Sequence, residues 1–445
     1  MARQLFGTDG IRGVAGQPPL DLETSHALGR ALGRWAREHD PDPEVLIGMD
    51  TRESGPWLAE SVGGGLAREG VKPRFAGVIT TPGVAYLTRT MHFVAGVMIS
   101  ASHNPFEDNG IKVFDHSGYK LPDAEEEALE QLLLALRDLG DTVTTLTLPV
   151  EKSLDEAYLE YLESTVSSRL DGKKVILDCA NGAAFELAPS LFRALGADVE
   201  TFGCAPNGRN INLNCGALHV EGLRDEMVRL KADFGAAFDG DADRAILVDR
   251  SGKIVDGDAV LLICARDLKR RGKLTNDLAV STVMSNIGLE RALASDGIQM
   301  LRTPVGDKYV LEEMRRKDAA IGGEQSGHVI FREYATTGDG MLTAAHVFDI
   351  AVREGKTLEE LTADLKNFPQ LLVNVRVKER RPLAELPSVA AEIQQAEKNF
   401  AGSGRVLVRF SGTEPLARVM VEGPTQEEVE HFANRIAGAI RSELG

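Results

Sequence analysis

Three aspartates at alternate positions of one loop are the residues most suited to chemistry. They are Asp239, Asp241 and Asp243. Mainly apolar runs at 232–238 and 245–249 predict strands on both sides of the loop. Like charges so close repel each other, and a bound cation relieves the repulsion. Oxygen ligands suit Mg²⁺, with Ca²⁺ and Mn²⁺ as alternatives. An EF-hand is excluded because Arg244 and Arg250 stand where that loop needs Gly and Glu. The loop predicts a metal site, and the alternative is an acidic turn without metal.

Arg244 follows the three aspartates directly and would face an anion. Mg²⁺ usually completes its shell with water or phosphate oxygens. A divalent cation beside an anion-binding arginine is typical of phosphoryl transfer.

Ser102 is the candidate nucleophile. The apolar run 94–100 predicts a strand, and Ser102 and His103 lie in the polar loop that follows it. Chemistry in α/β folds is usually placed at such strand ends. The strained G-x-S-x-G elbow of esterases is missing, and adjacency alone does not make His103 a base. The alternative is a turn whose serine and asparagine satisfy backbone groups.

A second polar turn, near the C-terminus, is a candidate phosphate site. Its members are Arg409, Ser411, Gly412 and Thr413, with Arg418 shortly after. Successive backbone N–H groups with two hydroxyls form an anion nest, and arginines add charge-assisted contacts. The alternative is an ordinary Ser-Gly-Thr turn.

Further polar loops could contribute to binding an anionic sugar. Glu324, Ser326 and His328 lie in a Gly-rich loop suited to sugar hydroxyls, and Lys308 lies on a tight turn. Basic residues would then line a site inside an acidic protein, which focuses an anionic ligand. These are Arg12, Lys112, Arg244, Lys308, Arg409 and Arg418.

The elements that position these loops repeat along the chain. Apolar runs at 45–49, 174–179 and 278–284 each precede a polar turn and a helix-like stretch. This unit predicts three related α/β domains. The segment from 371 onward has the order β-α-β-β-α and predicts a smaller α+β domain.

Composition excludes several classes of protein. The chain has 445 residues and a net charge of −17, which argues against binding nucleic acid or an anionic membrane. The four cysteines have no metal or disulfide spacing. We find no secretory signal and no apolar run of membrane-spanning length, so a cytoplasmic protein is expected.

Taken together, the motifs resemble those of the α-D-phosphohexomutase family from end to end. In chain order they are F-G-T-D-G-I-R-G at 6–13, T-P at 81–82, I-S-A-S-H-N-P at 99–105, N-G-I-K at 109–112, D-G-D-A-D-R at 239–244, G-D-K at 306–308, G-G-E-Q-S-G-H at 322–328 and R-F-S-G-T-E-P at 409–415. The resemblance implies three α/β domains with mixed sheets and a smaller C-terminal α+β domain around a central cleft. The expected domain boundaries are 1–150, 151–254, 255–368 and 369–445.

The resemblance also implies roles for the site residues. Ser102 would carry a phosphoryl group, and one Mg²⁺ per chain would bind the three aspartates and an oxygen of phospho-Ser102. Arg12, His103, Lys112, Arg244 and His328 would form the catalytic set, with Lys112 as the leading proton shuttle. Lys308, Glu324 and Ser326 would bind the sugar. The C-terminal turn with Arg409 and Arg418 would bind the phosphate that does not react.

The implied reaction interconverts a hexose 6-phosphate and a hexose 1-phosphate through a sugar bisphosphate, which also serves as activator. Gln325 and the fuller S-A-S-H-N-P-F-E-D-N-G-I-K run favour glucosamine phosphate as substrate, feeding UDP-N-acetylglucosamine and cell-wall synthesis. The alternatives are a phosphomannomutase/phosphoglucomutase, a catalytically dead sugar-phosphate-binding protein, and a phosphatase. The partner is a small sugar phosphate, and a homodimer is the oligomer that the resemblance suggests.

Overall fold

The computed structural model describes residues 4–7, 9–379, 381–382, 385–411 and 415–445. It forms two compact units, Met1–Val283 with Met300–Ala363, and Met284–Gln299 with Asp364–Gly445. Among the helices of these described ranges, none is long and apolar enough to cross a bilayer.

The first sheet of the first unit has six strands. They are β1 (Phe6–Gly7), β2 (Gly10–Val14), β3 (Glu44–Met49), β4 (Lys72–Val78), β5 (Ala95–Ile99) and β6 (Asp108–Asp115). The helices are α1 (Leu22–His39), α2 (Gly55–Arg68), α3 (Thr81–Thr90) and α4 (Asp123–Asp138). The strand order is β1-β2-β6-β5-β3-β4. β3 pairs in parallel with β4 and β5, whereas β6 is antiparallel to β5 and β2. All five residues of β5 are buried, because it is central and covered on both faces.

The second sheet has five strands in the order β11-β10-β9-β7-β8. Its elements are α5 (Lys152–Ser164), β7 (Lys174–Asp178), α6 (Leu187–Ala194), β8 (Asp198–Phe202), α7 (Glu221–Leu230), β9 (Phe234–Phe238), β10 (Ala245–Val248) and β11 (Ile254–Val255). β7 is parallel to β8 and β9, and β10 is antiparallel to β9.

The third sheet has four strands in the order β13-β12-β14-β15. Its elements are α8 (Gly257–Arg270), a 3₁₀ turn (Thr275–Asp277), β12 (Leu278–Thr282), β13 (Gln299–Thr303), α10 (Asp307–Lys317), β14 (Ile321–Gly323), β15 (Val329–Phe331), α11 (Gly340–Glu354) and α12 (Leu358–Leu361). The helix between β12 and β13, α9 (Ile287–Ser295), belongs to the second unit.

The three sheets share one strand pattern. In each, a strand parallel to its neighbour turns back into an antiparallel strand, and the pairs are β5–β6, β9–β10 and β14–β15. The predicted fold class of three related α/β domains with mixed sheets is confirmed. The connections of these pairs carry Ser102, the three aspartates and Glu324, so equivalent turns supply the candidate chemistry.

The C-terminal part of the second unit has a three-stranded antiparallel sheet in the order β16-β18-β17. Its elements are β16 (Gln370–Arg376), α13 (Pro387–Phe400), β17 (Arg405–Phe410), β18 (Leu416–Glu422) and α14 (Gln426–Leu444). This confirms the predicted β-α-β-β-α order. Alternation along β17 directs Val406, Val408 and Phe410 toward the helices, so Arg409 lies on the opposite face.

Candidate active site

The three equivalent turns of the first unit meet at a cavity of about 420 Å³. Its polar lining includes Asp9, Arg12, Ser102, Asp243, Arg244, Asp307, Glu324 and His328. The cavity therefore joins residues from the three sheets that the sequence pattern could not place relative to one another.

Ser102 is in direct contact with Asp239, the first of the three aspartates. It is 2% exposed, and its backbone is left-handed with a φ of 51°. Its hydroxyl donates to Oδ2 of Asp239 at 2.6 Å, and Nδ1 of His103 is 3.3 Å from the same Oγ. The backbone N–H of Ser102 donates to Ser100 Oγ at 2.9 Å. These contacts aim Oγ at the acidic loop.

The acidic loop brings together the three carboxylates. One oxygen from each of Asp239, Asp241 and Asp243 lies within 4.8 Å of the others, and all three residues are buried. Burial and the two neighbouring carboxylates raise the pKa of Asp239 well above its ordinary value. Such a group of charges is costly unless a cation shares it.

The carboxylates have the free oxygens that a metal needs. Within the described part of the chain, Oδ1 of Asp241 and Oδ1 of Asp243 are buried and lack a hydrogen-bond partner. Buried polar atoms normally have partners. Three buried carboxylates, two of which have an oxygen without a partner, fit a hard, oxygen-binding cation such as Mg²⁺.

Two residues that the sequence analysis gave no role hold this loop. Thr81, the first residue of α3, donates its hydroxyl to Asp241 Oδ2 at 2.6 Å. Asp9 Oδ2 is 3.4 Å from the ammonium of Lys112, which itself donates to Asp241 at 2.9 Å. Both residues belong to motifs of the family resemblance, at 6–13 and 81–82. Their loops, however, are more than 100 residues from Asp241 in sequence.

Lys112 is a fully buried cation on β6. Burial lowers its pKa, but Asp241, Asp9 and Asp243 outweigh burial and raise it above its ordinary value. In this arrangement the ammonium keeps its proton and neutralises the acidic loop. Its predicted role as proton shuttle stays a prediction.

Arg244 lines the cavity and lies next to His103. Arg244 Nη1 is 3.3 Å from Nδ1 of His103. Burial and the cations Arg244 and Arg12 lower the pKa of His103. Among the described residues, Nε of Arg12 and Nε of Arg244 are buried without a hydrogen-bond partner. These unused donors suit an anion such as a phosphate.

His328 contacts the acidic loop. Its Nε2 accepts from the N–H of Gly338 at 3.0 Å, and its Nδ1 is 3.5 Å from Asp243 Oδ2. This arrangement assigns the ring proton to Nδ1, facing the carboxylate. His328 is placed to orient Asp243 as well as to line the cavity.

The predicted sugar-binding residues divide into two groups. Glu324 lines the cavity, and its Oε1 accepts from the N–H of Gly306 at 3.0 Å. The exposed Ser326 donates to Glu324 Oε2 at 3.3 Å. Lys308 lies in the first turn of α10, not on a free turn, and its ammonium donates to Asp123 at 2.5 Å. It therefore points to α4 in this structure rather than into the cavity.

The second unit holds the other predicted anion site. Arg409 and Arg418 are direct cross-strand partners on β17 and β18, which places two like charges side by side. Burial and Arg418 lower the pKa of Arg409. Ser411 is buried at the end of β17. Gly412 and Thr413 lie outside the described residues.

Comparison with known proteins identifies the class. Models of the four phosphoglucomutase/phosphomannomutase domains match the chain, the alpha/beta/alpha domains I, II and III at residues 3–138, 156–252 and 256–368, and the C-terminal domain at 372–439. The chain belongs to the phosphoglucomutase/phosphomannomutase family, also called the α-D-phosphohexomutases.

Two relatives that match over the full length have the name phosphoglucosamine mutase. The chain is 65% identical to the phosphoglucosamine mutase of Solibacter usitatus, with 100% of both chains covered. It is 52% identical to the phosphoglucosamine mutase of Koribacter versatilis, covering 100% of this chain and 98% of the relative.

Solved structures share the fold. A family protein from Burkholderia thailandensis superposes with a TM-score of 0.82 at 23% identity, covering 98% of this chain and 97% of that one. The N-acetylphosphoglucosamine mutase of Aspergillus fumigatus, in complex with GlcNAc-6P and magnesium, has a TM-score of 0.62 at 20% identity, covering 99% and 96%.

Proposed function

We propose that this protein is a phosphoglucosamine mutase that interconverts glucosamine 6-phosphate and glucosamine 1-phosphate. The observation that carries the proposal is the contact of Ser102 Oγ with Asp239, 2.6 Å long, at the edge of a buried three-carboxylate group. Full-length relatives of this name at 65% and 52% identity support the choice of sugar.

In the proposed reaction, Ser102 carries the phosphoryl group between two positions of the sugar. The P–O bond to Ser102 Oγ breaks as a P–O bond to the free sugar hydroxyl forms, giving a sugar bisphosphate. The proton of that hydroxyl ends on Ser102 Oγ. The bisphosphate then turns in the site, and its other phosphoryl group returns to Ser102 as the proton returns to the sugar.

Asp239, Asp241 and Asp243 would hold Mg²⁺, with an oxygen of phospho-Ser102 as a further ligand. When bound, the ion neutralises charge on the transferring group. Arg244 and Arg12, which both line the cavity, would bind the phosphoryl oxygens. Loose phosphoryl transition states depend mainly on positioning, which the rigid turns around Ser102 provide.

The remaining residues would bind and orient the sugar. Glu324 and Ser326 would accept and donate hydrogen bonds to its hydroxyls, and Lys308 would join them after leaving Asp123. Lys112 would be the leading proton shuttle, and Arg12, His328 and His103, whose Nδ1 is 3.3 Å from Ser102 Oγ, would assist it. Arg409 and Arg418, with Ser411, Gly412 and Thr413, would bind the phosphate that is not transferred.

Several further features belong to the same proposal. A sugar bisphosphate would load Ser102 and act as activator. The enzyme would be a cytoplasmic homodimer whose partner is a small sugar phosphate. It would bind neither nucleic acid nor a membrane. The domain boundaries after residues 150, 254 and 368 also stay predictions.

Phosphate mapping tests the proposal. After incubation with glucose 1,6-bisphosphate, intact-mass and peptide analysis should place one phosphate on Ser102. The Ser102→Ala variant should take up none and show no turnover of glucosamine 6-phosphate. Ser190→Ala, on the exposed face of α6, is the matched control and should behave as wild type.

Substrate comparison decides the sugar. We expect a higher kcat/KM on glucosamine phosphate than on glucose or mannose phosphate. Faster turnover of glucose 1-phosphate would instead indicate a phosphomannomutase/phosphoglucomutase. Incorporation of the phosphate on a residue other than Ser102 would refute the mutase mechanism. Steady release of inorganic phosphate at the rate of substrate loss would refute it as well.

A further inference from the structure

A fully buried arginine lies behind the Ser102 turn, outside the cavity. Arg52 follows β3, and its side chain is 0% exposed. Its only acidic partner among the described residues is Asp50, whose Oδ2 accepts from Arg52 Nε at 2.9 Å. A buried ion pair is weak evidence for stability, because desolvation offsets the attraction. The guanidinium therefore calls for another explanation.

The guanidinium uses all of its N–H donors. Besides Asp50, it donates to four backbone carbonyls of a single loop. They are Ser102 at 3.0 Å, Asn104 at 2.8 Å, Asp108 at 2.9 Å, and Pro105 by a shorter contact. Arginine is the side chain with five donors in a rigid plane, so it is the one side chain that can donate to all four carbonyls and to Asp50 at the same time.

A second side chain contacts two of the same carbonyls from the loop between β8 and α7. Nδ2 of Asn212 donates to the carbonyl of Ser102 at 2.9 Å and to that of Asn104 at 3.1 Å. Gly240 adds to the confinement, because a Cβ there would lie 2.4 Å from the carbonyl of Ser102. The peptide of Ser102 is thus fixed by contacts with Arg52 and Asn212.

This fixation has a local consequence for the nucleophile. Ser102 is a non-glycine residue with a φ of 51°, a strained conformation that persists only where the surroundings enforce it. The same conformation aims Oγ at Asp239. Ser100 connects the Asp50–Arg52 pair to Ser102, because its hydroxyl donates to Asp50 Oδ2 at 2.5 Å and accepts from the backbone N–H of Ser102.

We infer that Arg52 is a positioning residue for phosphoryl transfer, which holds the 102–108 loop by its carbonyls so that Ser102 Oγ faces the acidic loop, with Asn212 as the second clamp. The inference rests on the proposed role of Ser102 as phosphoryl carrier. Arg52 itself touches neither the cavity nor the reacting atoms.

The test uses the conservative variant Arg52→Lys and the matched control Arg30→Lys. Both replace a buried, ion-paired arginine of the first unit, and Arg30 pairs with Glu69 and Asp141 far from the loop in sequence. Lysine keeps the charge but has three donors at one point, so it cannot reach four carbonyls. We expect R52K to lower kcat about 100-fold, the cost of a misplacement near 1 Å, with KM for the sugar phosphate within about twofold of wild type. R30K should keep both constants.

Asn212→Gly is the second variant, because glycine keeps the left-handed backbone of that position (φ 59°) and removes only the amide. We expect kcat to fall about tenfold, with Tm nearly unchanged. Should R52K fail to fold, a wild-type kcat in N212G would overturn the inference. A folded R52K with kcat within threefold of R30K would overturn it as well. Wild-type protein that takes no phosphate on Ser102 would instead refute the proposed function.

Discussion

Replacing Asp239 by asparagine should stabilise the metal-free protein and abolish its response to magnesium. The substitution is nearly isosteric and keeps both hydrogen bonds of the side chain. Oδ1 still accepts from the N–H of Arg244, and the new amide donates to Ser102 Oγ, since a hydroxyl can also accept. What disappears is one of three mutually repelling charges.

The magnitude follows from the spacing of the carboxylates. Two charges about 4.8 Å apart repel by about 3 kcal/mol at an effective dielectric constant near 20. Asp239 takes part in two such pairs, and its attraction to Arg244 offsets about one of them. The net gain is about 3 kcal/mol, or a rise in Tm of about 3 °C for a chain of 445 residues. For the wild type, Mg²⁺ at a hundred times its Kd should add about 2.7 kcal/mol.

Thermal unfolding in EDTA and in Mg²⁺ measures both effects. D239N should unfold at a higher temperature than wild type in EDTA, show no shift with Mg²⁺, and be inactive. The control is Asp178→Asn, another buried aspartate, whose two oxygens each accept a backbone N–H. Its amide would oppose a donor, so D178N should lower Tm and keep the magnesium shift. A fall in Tm for D239N in EDTA as large as that of D178N would refute the electrostatic reasoning.

Two further predictions concern pH and phosphate binding. Burial lowers the pKa of His346 to about 4, and its Nε2 contacts Thr165 Oγ1 at 3.1 Å. Its neutral form stabilises the fold fully above pH 6.5, and about 2 kcal/mol should be lost between pH 7.5 and 5 because the unfolded chain binds the proton more tightly. Urea unfolding at both pH values should show a smaller loss for His346→Gln, and an unchanged loss would contradict the assignment. Arg418→Met should raise KM for the sugar phosphate about 10- to 100-fold, since it removes a charge-assisted contact. Initial rates measure this, and an unchanged KM would exclude a phosphate site at the Arg409–Arg418 pair.

The sequence predicted the local parts of this protein well. Strand–turn–helix order and continuous or alternating apolar runs depend on neighbours in the chain, so β5, β9 and the C-terminal β-α-β-β-α order could be derived from them. The three aspartates and Ser102 were singled out as candidates for the same reason, because each lies in a polar turn between apolar strands. The resemblance to a known family supplied the roles, which spacing alone left open.

Lys308 shows where local reasoning stopped. The sequence placed this lysine on a tight turn, and its role in binding the substrate stays a prediction. In the structure α10 begins at Asp307 and the ammonium pairs with Asp123 on α4. Whether the Lys308 ammonium binds a ligand or a carboxylate depends on which helix the fold brings close to it. The residues next to Lys308 in sequence carry no signal for this contact.

The order of residues along the chain alone determined which of them share a turn, because a strand advances about 3.3 Å per residue and its apolar run ends where the polar turn begins. Tertiary structure alone decided which turns meet. Thr81 and Lys112 bind Asp241 from 160 and 129 residues away, and Arg52 holds carbonyls 50 to 56 residues further along. The contacts with Asp241 arise from the packing of separate sheets, whereas those of Arg52 join two loops at the ends of neighbouring strands of the first sheet. In both cases a buried polar group must find a partner wherever the fold brings one, so no pattern along the chain records them.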